Sequence, residues 1–211
     1  MASGDPLARA ASARAVTHAV LASGHHRQAT GFALTAAQQL SDAISLTTLD
    51  GVSLYGALLL RAAVTAAHGE DRPTALGLLD EAGRRAAGVY PDANAYWTFF
   101  NPVNVSLHRV HVAARLGDAG VAIDHARRVD LGKVTLAERR ACLYIDVARA
   151  YTQWGKHDRA YRALCAAERA APQEVTSNRS VHQLVQELER RCPATVKNGL
   201  RQFARRIGTP A

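Results

Sequence analysis

The feature that most constrains the fold of this chain is the spacing of its apolar and small residues. They recur every three or four positions along almost the whole sequence, and no stretch shows the alternation of β-branched residues that a half-buried strand requires. Breaks rich in Gly, Pro, Asp and Asn separate the periodic segments and delimit about ten helices. The sequence therefore predicts an all-α protein.

Four stretches repeat one pattern of small residue, turn and large apolar residue. In residues 146–172, a turn at Gly155 is followed by Ala160 and Leu164, and Pro172 ends the pair of helices. Small residues at such positions let helices approach closely, while the large residue fills the remaining gap. The alanines that occupy the equivalent position in the four stretches are Ala29, Ala75, Ala122 and Ala160.

Composition favours one soluble intracellular domain. The chain has 211 residues, of which 48% are hydrophobic, so it can bury a core. The N-terminus has no apolar signal region, and the longest apolar run, "VSLYGALLL", is cut by Arg61 well short of the ~20 residues that a membrane span needs. Three cysteines without close spacing suggest neither a disulfide framework nor a zinc knuckle and fit a reducing cytoplasm. The net charge of +8 attracts acidic partners without specifying one.

The repeat pattern resembles the tetratricopeptide repeat (TPR), most closely over residues 144–172. Beyond it, the blocks "SLYGALLLRAAVTAAHGEDRPTALGLLDEA", "YWTFFNPVNVSLHRVHVAARLGDAGVAIDHARRVD" and "LYIDVARAYTQWGKHDRAYRALCAAERAAPQEV" resemble the C-terminal part of regulators from high-GC bacteria. In that family an Xre-type helix-turn-helix DNA-binding domain precedes a TPR-like sensor domain. The chain departs from the family at its front end, since no helix-turn-helix precedes "SGDPLARAASARAV".

The resemblance implies a right-handed α-solenoid built from TPR-like helical hairpins in a single domain, 1–211. The expected hairpins span about 5–40, 51–88, 103–130 and 134–171, and a pair of capping helices spans about 178–207.

The resemblance also implies a concave groove, lined by the first helix of each hairpin, that binds a peptide or another ligand. Amide, imidazole and guanidinium groups there would suit a ligand with carboxylate or carbonyl groups. The candidate groove residues are His18, His68, Tyr96, Trp97, Asn104, His108, His111, Arg115, Arg149 and Thr152.

The stretch "NAYWTFFNPVNVSLHRVH" (94–111) concentrates aromatic residues in a chain with an aromatic content of only 6%. It lies in the insertion between the second and third hairpins. We expect Phe99 and Phe100 to fill space between helices, whereas Trp97 should border a pocket together with Asn104 and His111. Asn101 and Pro102 fit the N-cap and the first turn of the helix that follows.

No pattern in the sequence indicates catalysis, a cofactor or a metal. His108 and His111 are three residues apart, but no nearby residue completes a ligand set, so we expect no metal site. His25 and His26 lie in a turn and are expected to be exposed. No phosphate-binding glycine loop, nucleophile motif or pair of carboxylates is present, and the chain is not expected to be an enzyme.

The C-terminal segment is basic and amphipathic. Its cationic residues either form the solvated outer face of a capping helix pair or contact a phosphate backbone. These residues are Arg190, Arg191, Lys197, Arg201 and Arg205.

Three functions follow as alternatives. The first is a sensor domain of a bacterial transcriptional regulator, which binds a peptide, small-molecule effector or protein in the groove and reaches DNA only through an attached or associated helix-turn-helix. The second is a stand-alone protein–protein scaffold or homodimerisation module. The third is direct, non-specific DNA binding by the basic C-terminal helices. Each of the three predicts a cytoplasmic protein that does not contact membranes.

Overall fold

The segments of the sequence with helical periodicity form helices along the described chain. The computed structural model describes residues 4–90 and 92–209, and within these ranges it contains eleven α-helices, two 3-10 turns and no strand. The all-α prediction is confirmed. One short helix, Pro172–Thr176, lies in a stretch that the sequence predicted to be a loop. Pro172 is the first residue of that helix. A backbone N–H at this position would have no partner within the helix, so proline costs no hydrogen bond there.

The chain divides into two compact units, Met1–Leu116 and Gly117–Ala211. Unit 1 contains helices α1 (Pro6–Ala22), α2 (His26–Ala43), α3 (Leu49–His68), α4 (Arg72–Ala86) and α5 (Pro102–Arg115), with a 3-10 turn at Ala95–Trp97. Unit 2 contains α6 (Ala119–Arg127), a 3-10 turn at Leu131–Lys133, α7 (Ala137–Gln153), α8 (His157–Ala170), α9 (Pro172–Thr176), α10 (Arg179–Arg191) and α11 (Ala194–Ile207).

Helix α3 is the centre of unit 1. It packs against α1, α2, α4 and α5, and its leucines Leu54, Leu58 and Leu60 are almost completely buried. Among the described residues it is the one helix long and apolar enough to cross a membrane, but 72% of its most apolar 18-residue segment is buried inside the protein. This burial identifies α3 as a core helix and agrees with a soluble protein. The cytoplasmic location stays a prediction.

Side-chain caps set where several helices begin. In unit 1, Thr48 Oγ1 accepts a hydrogen bond from Gly51 N (3.2 Å), and an Asp71 carboxylate oxygen accepts one from Thr74 N (3.2 Å). Both satisfy amide groups that have no partner within the first turn. The predicted start of α5 is confirmed. Helix α5 begins at Pro102, and Asn101 Oδ1 accepts a hydrogen bond from Asn104 N (2.9 Å).

The small residues of the repeated pattern lie inside the two units. The four equivalent alanines have no exposed surface, and a larger side chain at any of them would need space that the packed helices do not leave. They are Ala29 and Ala75 in unit 1, and Ala122 and Ala160 in unit 2.

Unit 2 is built on α7 and α8, and its last two helices cover them. Helix α10 packs against α7, and α11 packs against α8 and α10. The ring of Tyr161 in α8 meets the ring of Phe203 in α11 edge to face at a centroid distance of 6.4 Å. Gly199 lies beneath the Tyr161 hydroxyl, since a Cβ at this glycine would be 2.7 Å from Oη. Helix α11 is therefore held in place by its apolar face.

Candidate functional site

The aromatic stretch forms a loop that is anchored at its C-terminal end. Phe99 and Phe100 are 2% and 0% exposed, so the prediction that they pack inside is confirmed. The ring of Phe100 lies against Gly56 of α3, where the absence of a side chain leaves room for it. Asn94 Oδ1 accepts a hydrogen bond from Phe99 N (2.8 Å), which closes the loop at its base.

The outer end of the same loop presents its other two aromatic rings to solvent. Trp97 is 83% exposed and Tyr96 is 37% exposed. Arg14 of α1 contacts the backbone of the loop, where its Nη1 donates a long hydrogen bond to the Tyr96 carbonyl oxygen (3.5 Å). The partly buried guanidinium group of Arg14 is therefore placed at the backbone of the loop that carries the two rings.

The loop backbone holds these rings in an unusual conformation. Tyr96, Trp97 and Phe99 have φ angles of 52°, 53° and 52°, in the left-handed region that non-glycine residues rarely adopt. Each such residue costs on the order of 1 kcal/mol and persists only when the surroundings determine it. Here burial of Phe99 and its bond to Asn94 provide that constraint.

Asn104 is buried and His108 is partly buried. Asn104 is 2% exposed, so its side chain is not accessible at the surface, and the expectation that it borders a pocket stays a prediction. Asn104 lies in the first turn of α5, in which Pro102 is exposed whereas Asn104 and Val105 are buried. His108 is partly buried and its Nδ1 lies 2.8 Å from the Asn104 carbonyl oxygen, one turn earlier in the same helix.

Three imidazole rings from different helices of unit 1 form a stack that the sequence did not reveal. His68, in the last turn of α3, lies between His26 of α2 and His111 of α5, with ring-centroid distances of 5.6 and 6.3 Å. His26 is partly buried, which corrects the expectation that the turn exposes it. No sequence signal links three histidines more than forty positions apart, because helix packing alone brings them together.

The stack does not have the geometry of a metal centre. The ring planes of His68 and His111 are inclined by 23°, and those of His26 and His68 by 46°. Within residues 4–90 and 92–209, no three His, Cys, Asp or Glu side chains are placed to hold an ion. A cleft of about 480 Å³ opens beside the stack, lined by Gly24, His25, His26, Arg27, Gln28, His68, Gly69 and Glu70.

His18 lies on α1 with Arg61 of α3 beside it, at 3.3 Å between Arg61 Nη1 and His18 Nδ1. Partial burial, and then the positive charge of Arg61, lower the pKa of His18. The imidazole therefore stays neutral to lower pH than an isolated histidine. His18 and Arg14 are one turn apart on α1 and belong to the same helix face.

The candidate groove residues of unit 2 have structural partners. Arg149 Nη1 lies 3.3 Å from an Asp146 carboxylate oxygen and its Nη2 donates to Ser180 Oγ (3.1 Å), which ties α7 to α10. Thr152 is 4% exposed and its hydroxyl donates to the Ala148 carbonyl oxygen (2.8 Å). Both side chains are therefore hydrogen-bonded within unit 2.

The predicted basic residues of the C-terminal helices are all exposed. One of them, Arg191, pairs with Glu187 at 2.8 Å along α10. The neighbouring Arg206, which was not among the predicted residues, makes a bidentate salt bridge to Glu168 of α8. The remaining candidate on unit 1, Arg115, is exposed at the end of α5.

An apolar cleft between α1 and α2 was not predicted. Its volume is about 460 Å³, and it is bordered by Val16 and Phe32, which are 45% and 42% exposed. Alanines Ala8, Ala13 and Ala36 form much of its floor. The spacing of the alanines could have suggested that α1 and α2 pack closely here, but it could not have shown that the cleft between them is exposed.

Comparison of the chain with known protein families, with curated proteins and with solved structures finds no match.

Proposed function

We propose that this chain is a peptide- or protein-binding module of a bacterial transcriptional regulator, with its binding surface on unit 1. The single observation that carries the proposal is Trp97, which is 83% exposed at the tip of a loop whose base is buried. Exposed tryptophan on a rigid support is the residue type most enriched among the residues that dominate binding energy. A preorganised loop also loses little conformational entropy when a partner binds.

Arg14 and His18 define the kind of segment that this surface suits. Arg14 adjoins Tyr96, and His18 lies one helical turn further along α1 beside Arg61. Two guanidinium groups and two aromatic rings favour a partner that carries a carboxylate close to an apolar or aromatic side chain. We infer that the ligand is an extended segment with these two features.

The order of helix packing supports a TPR-like solenoid within unit 1. Helix α3 packs against both α1 and α2, and α5 packs against both α3 and α4. Each new helix thus rests on the preceding pair, as in stacked hairpins, and such arrays commonly bind extended segments. This succession, together with the sequence resemblance to the sensor domains of Xre-type regulators, supports assignment to a regulator.

Selection of a displayed random-peptide library on the full chain tests the binding surface. We expect the enriched peptides to bind the wild type and to lose at least tenfold in affinity for Trp97→Ala, as loss of a dominant contact of ~1.4 kcal/mol or more requires. Trp154→Ala is the matched control, because Trp154 is also exposed, at 49%, but belongs to unit 2. Peptides that bind all three proteins equally would refute the site.

The regulatory assignment has a separate test. If the gene encodes a helix-turn-helix domain in frame with this segment, or beside it, a selected peptide should change the affinity of the complete regulator for its operator. Coupling between the two sites requires that the peptide bind two shapes of the protein with different affinity. A selected peptide that binds tightly and leaves operator affinity unchanged would favour a scaffold instead.

A further inference from the structure

The excess positive charge of the chain is concentrated at its C-terminal end. Residues 179–207 contain seven Lys and Arg against two Glu, whereas the whole chain has 26 against 18. These residues cover α10 and α11, and α11 itself contains no acidic residue. More than half of the net charge of +8 therefore comes from two helices.

The exposed face of α11 carries this charge in a regular row. Lys197, Arg201 and Arg205 are exposed and follow one another at intervals of four residues, about 6 Å apart along the helix axis. Asn198 and Gln202 lie beside them and are exposed as well. Among the described residues, no carboxylate lies within ion-pair distance of the three cations. This row of five residues, the α11 donor face, offers only cations and amides.

The opposite, apolar face of α11 is buried inside unit 2. Leu200, Phe203 and Ile207 are at most 4% exposed and pack in the core of the unit, and Val196 is 8% exposed. A membrane-surface helix needs its apolar face free to enter the lipid, and α11 has none to offer. The donor face is therefore suited to a hydrated polyanion rather than to a lipid surface.

Duplex DNA is the polyanion that this geometry fits best. Its phosphate oxygens accept hydrogen bonds and carry negative charge, which complements a face of guanidinium, ammonium and amide donors. The major groove of B-form DNA admits an α-helix, whereas the major groove of A-form RNA is too deep and narrow for side chains to read. Asn198 and Gln202 are amides of the type that pair with adenine edges.

We propose that the donor face of α11 binds the phosphate backbone of duplex DNA through Lys197, Arg201 and Arg205. The proposal is independent of the Trp97 surface, because it concerns unit 2 and a different ligand. Three phosphate contacts give a salt dependence with a log–log slope of about −2.7, so affinity falls about 40-fold between roughly 50 and 200 mM salt.

The test is fluorescence anisotropy of the full chain with a labelled duplex of about two helical turns, titrated at several salt concentrations. We expect the triple variant Lys197→Gln, Arg201→Gln, Arg205→Gln to bind at least tenfold more weakly at low salt, with a slope shallower by about 2.7. The matched control removes the same charge elsewhere, in Arg84→Gln, Arg85→Gln, Arg127→Gln, whose arginines are 68%, 43% and 63% exposed. It should keep its affinity within about twofold and its slope.

Several results would overturn the proposal. They are no binding of the wild type at low salt, an equal loss in both triple variants, and binding of anionic phospholipid vesicles or poly-glutamate with the same dependence on the donor face. Single Arg201→Gln serves if the triple variant fails to fold, and it should flatten the slope by about 0.9. An unchanged slope in a folded Arg201→Gln variant would also contradict the assignment.

Discussion

The ring of Phe100 lies directly against Gly56 in the middle of α3, and a methyl group at that position would overlap the ring. This contact fixes the base of the loop that presents Trp97. A glycine inside a helix ordinarily costs up to about 1 kcal/mol relative to alanine, so its presence in a core helix needs a packing reason. Phe100, which has no exposed surface, provides that reason.

Gly56→Ala should lower the free energy of unfolding by about 1–3 kcal/mol, because overpacking against a buried ring outweighs the gain in helix propensity. Chemical denaturation followed by circular dichroism measures the change. Gly77→Ala in α4 is the control, since nothing lies within 4 Å of a Cβ there. It should be neutral or stabilising by up to about 1 kcal/mol. Equal effects of the two substitutions would show that the ring does not occupy the space above Gly56.

His18 should titrate below the usual range of histidine. Partial burial and the charge of Arg61 lower its pKa in the folded protein, so the unfolded chain binds the proton more readily. The contribution of His18 to stability is then fully present above its pKa in the unfolded chain, about 6.5. This contribution is lost as pH falls from there through the pKa in the folded protein. Arg61→Gln should raise the pKa of His18 in an NMR titration without restoring it fully, because the burial remains. Arg27→Gln, which removes an arginine elsewhere, should leave the titration unchanged.

The bond between Arg206 and Glu168 should contribute to the attachment of α11 to α8. Hydrogen bonding by Arg206 lowers the pKa of Glu168, so its contribution is present above the unfolded value of about 4.5 and is lost as pH falls through the folded pKa. Because the pair is partly exposed, Glu168→Gln should cost only about 0.5–1 kcal/mol near neutral pH. The loss should shrink in acid, as measured by thermal unfolding.

Glu187→Gln is the matched control for that pair. Glu187 bonds Arg191 within α10 and joins no second helix, so its removal should cost at most about 0.5 kcal/mol. A Glu168→Gln effect no larger than this would mean that the inter-helix bond does not hold α11.

Cys142 should be a poorly reactive thiol. Burial, reinforced by the charge of Asp146, raises the pKa of Cys142 to about 11 from 9.0. Its thiolate fraction near neutral pH is then about 100-fold below that of an ordinary thiol, and alkylation requires the thiolate. In a Cys165→Ser, Cys192→Ser background, the rate with iodoacetamide should be at least about tenfold slower than for N-acetylcysteine, because the greater nucleophilicity of a high-pKa thiolate offsets part of its smaller fraction. A rate equal to that of the free thiol would contradict the burial of Cys142.

Local chemistry explains which features the sequence predicted. The cap of α5 depends on Asn101 and Pro102, which are adjacent in sequence, and the burial of Phe99 and Phe100 follows from their size and apolarity. The equivalence of Ala29, Ala75, Ala122 and Ala160 was readable because close helix packing requires small residues at a regular spacing.

Features that depend on contacts between two distant segments could not be predicted from the sequence. Asn104 was expected at an accessible surface and is buried, because the rotation of α5 about its own axis is set by contacts with α3 and α4. Arg149 was expected to meet a ligand, but it bonds Ser180, thirty-one positions away. The stack of His26, His68 and His111 joins three helices, and no periodicity within one helix encodes it.

The sequence by itself therefore determined that the chain is helical, where most helices begin and end, and which face of each is apolar, since these depend on residues within a few positions of each other. Only the tertiary structure decided which polar side chains are buried and which remain available, because that depends on which helices cover one another. The same division applies to the aromatic loop: its composition was visible in the sequence, but the contact of Phe100 with Gly56 and the exposure of Trp97 are features of the tertiary structure.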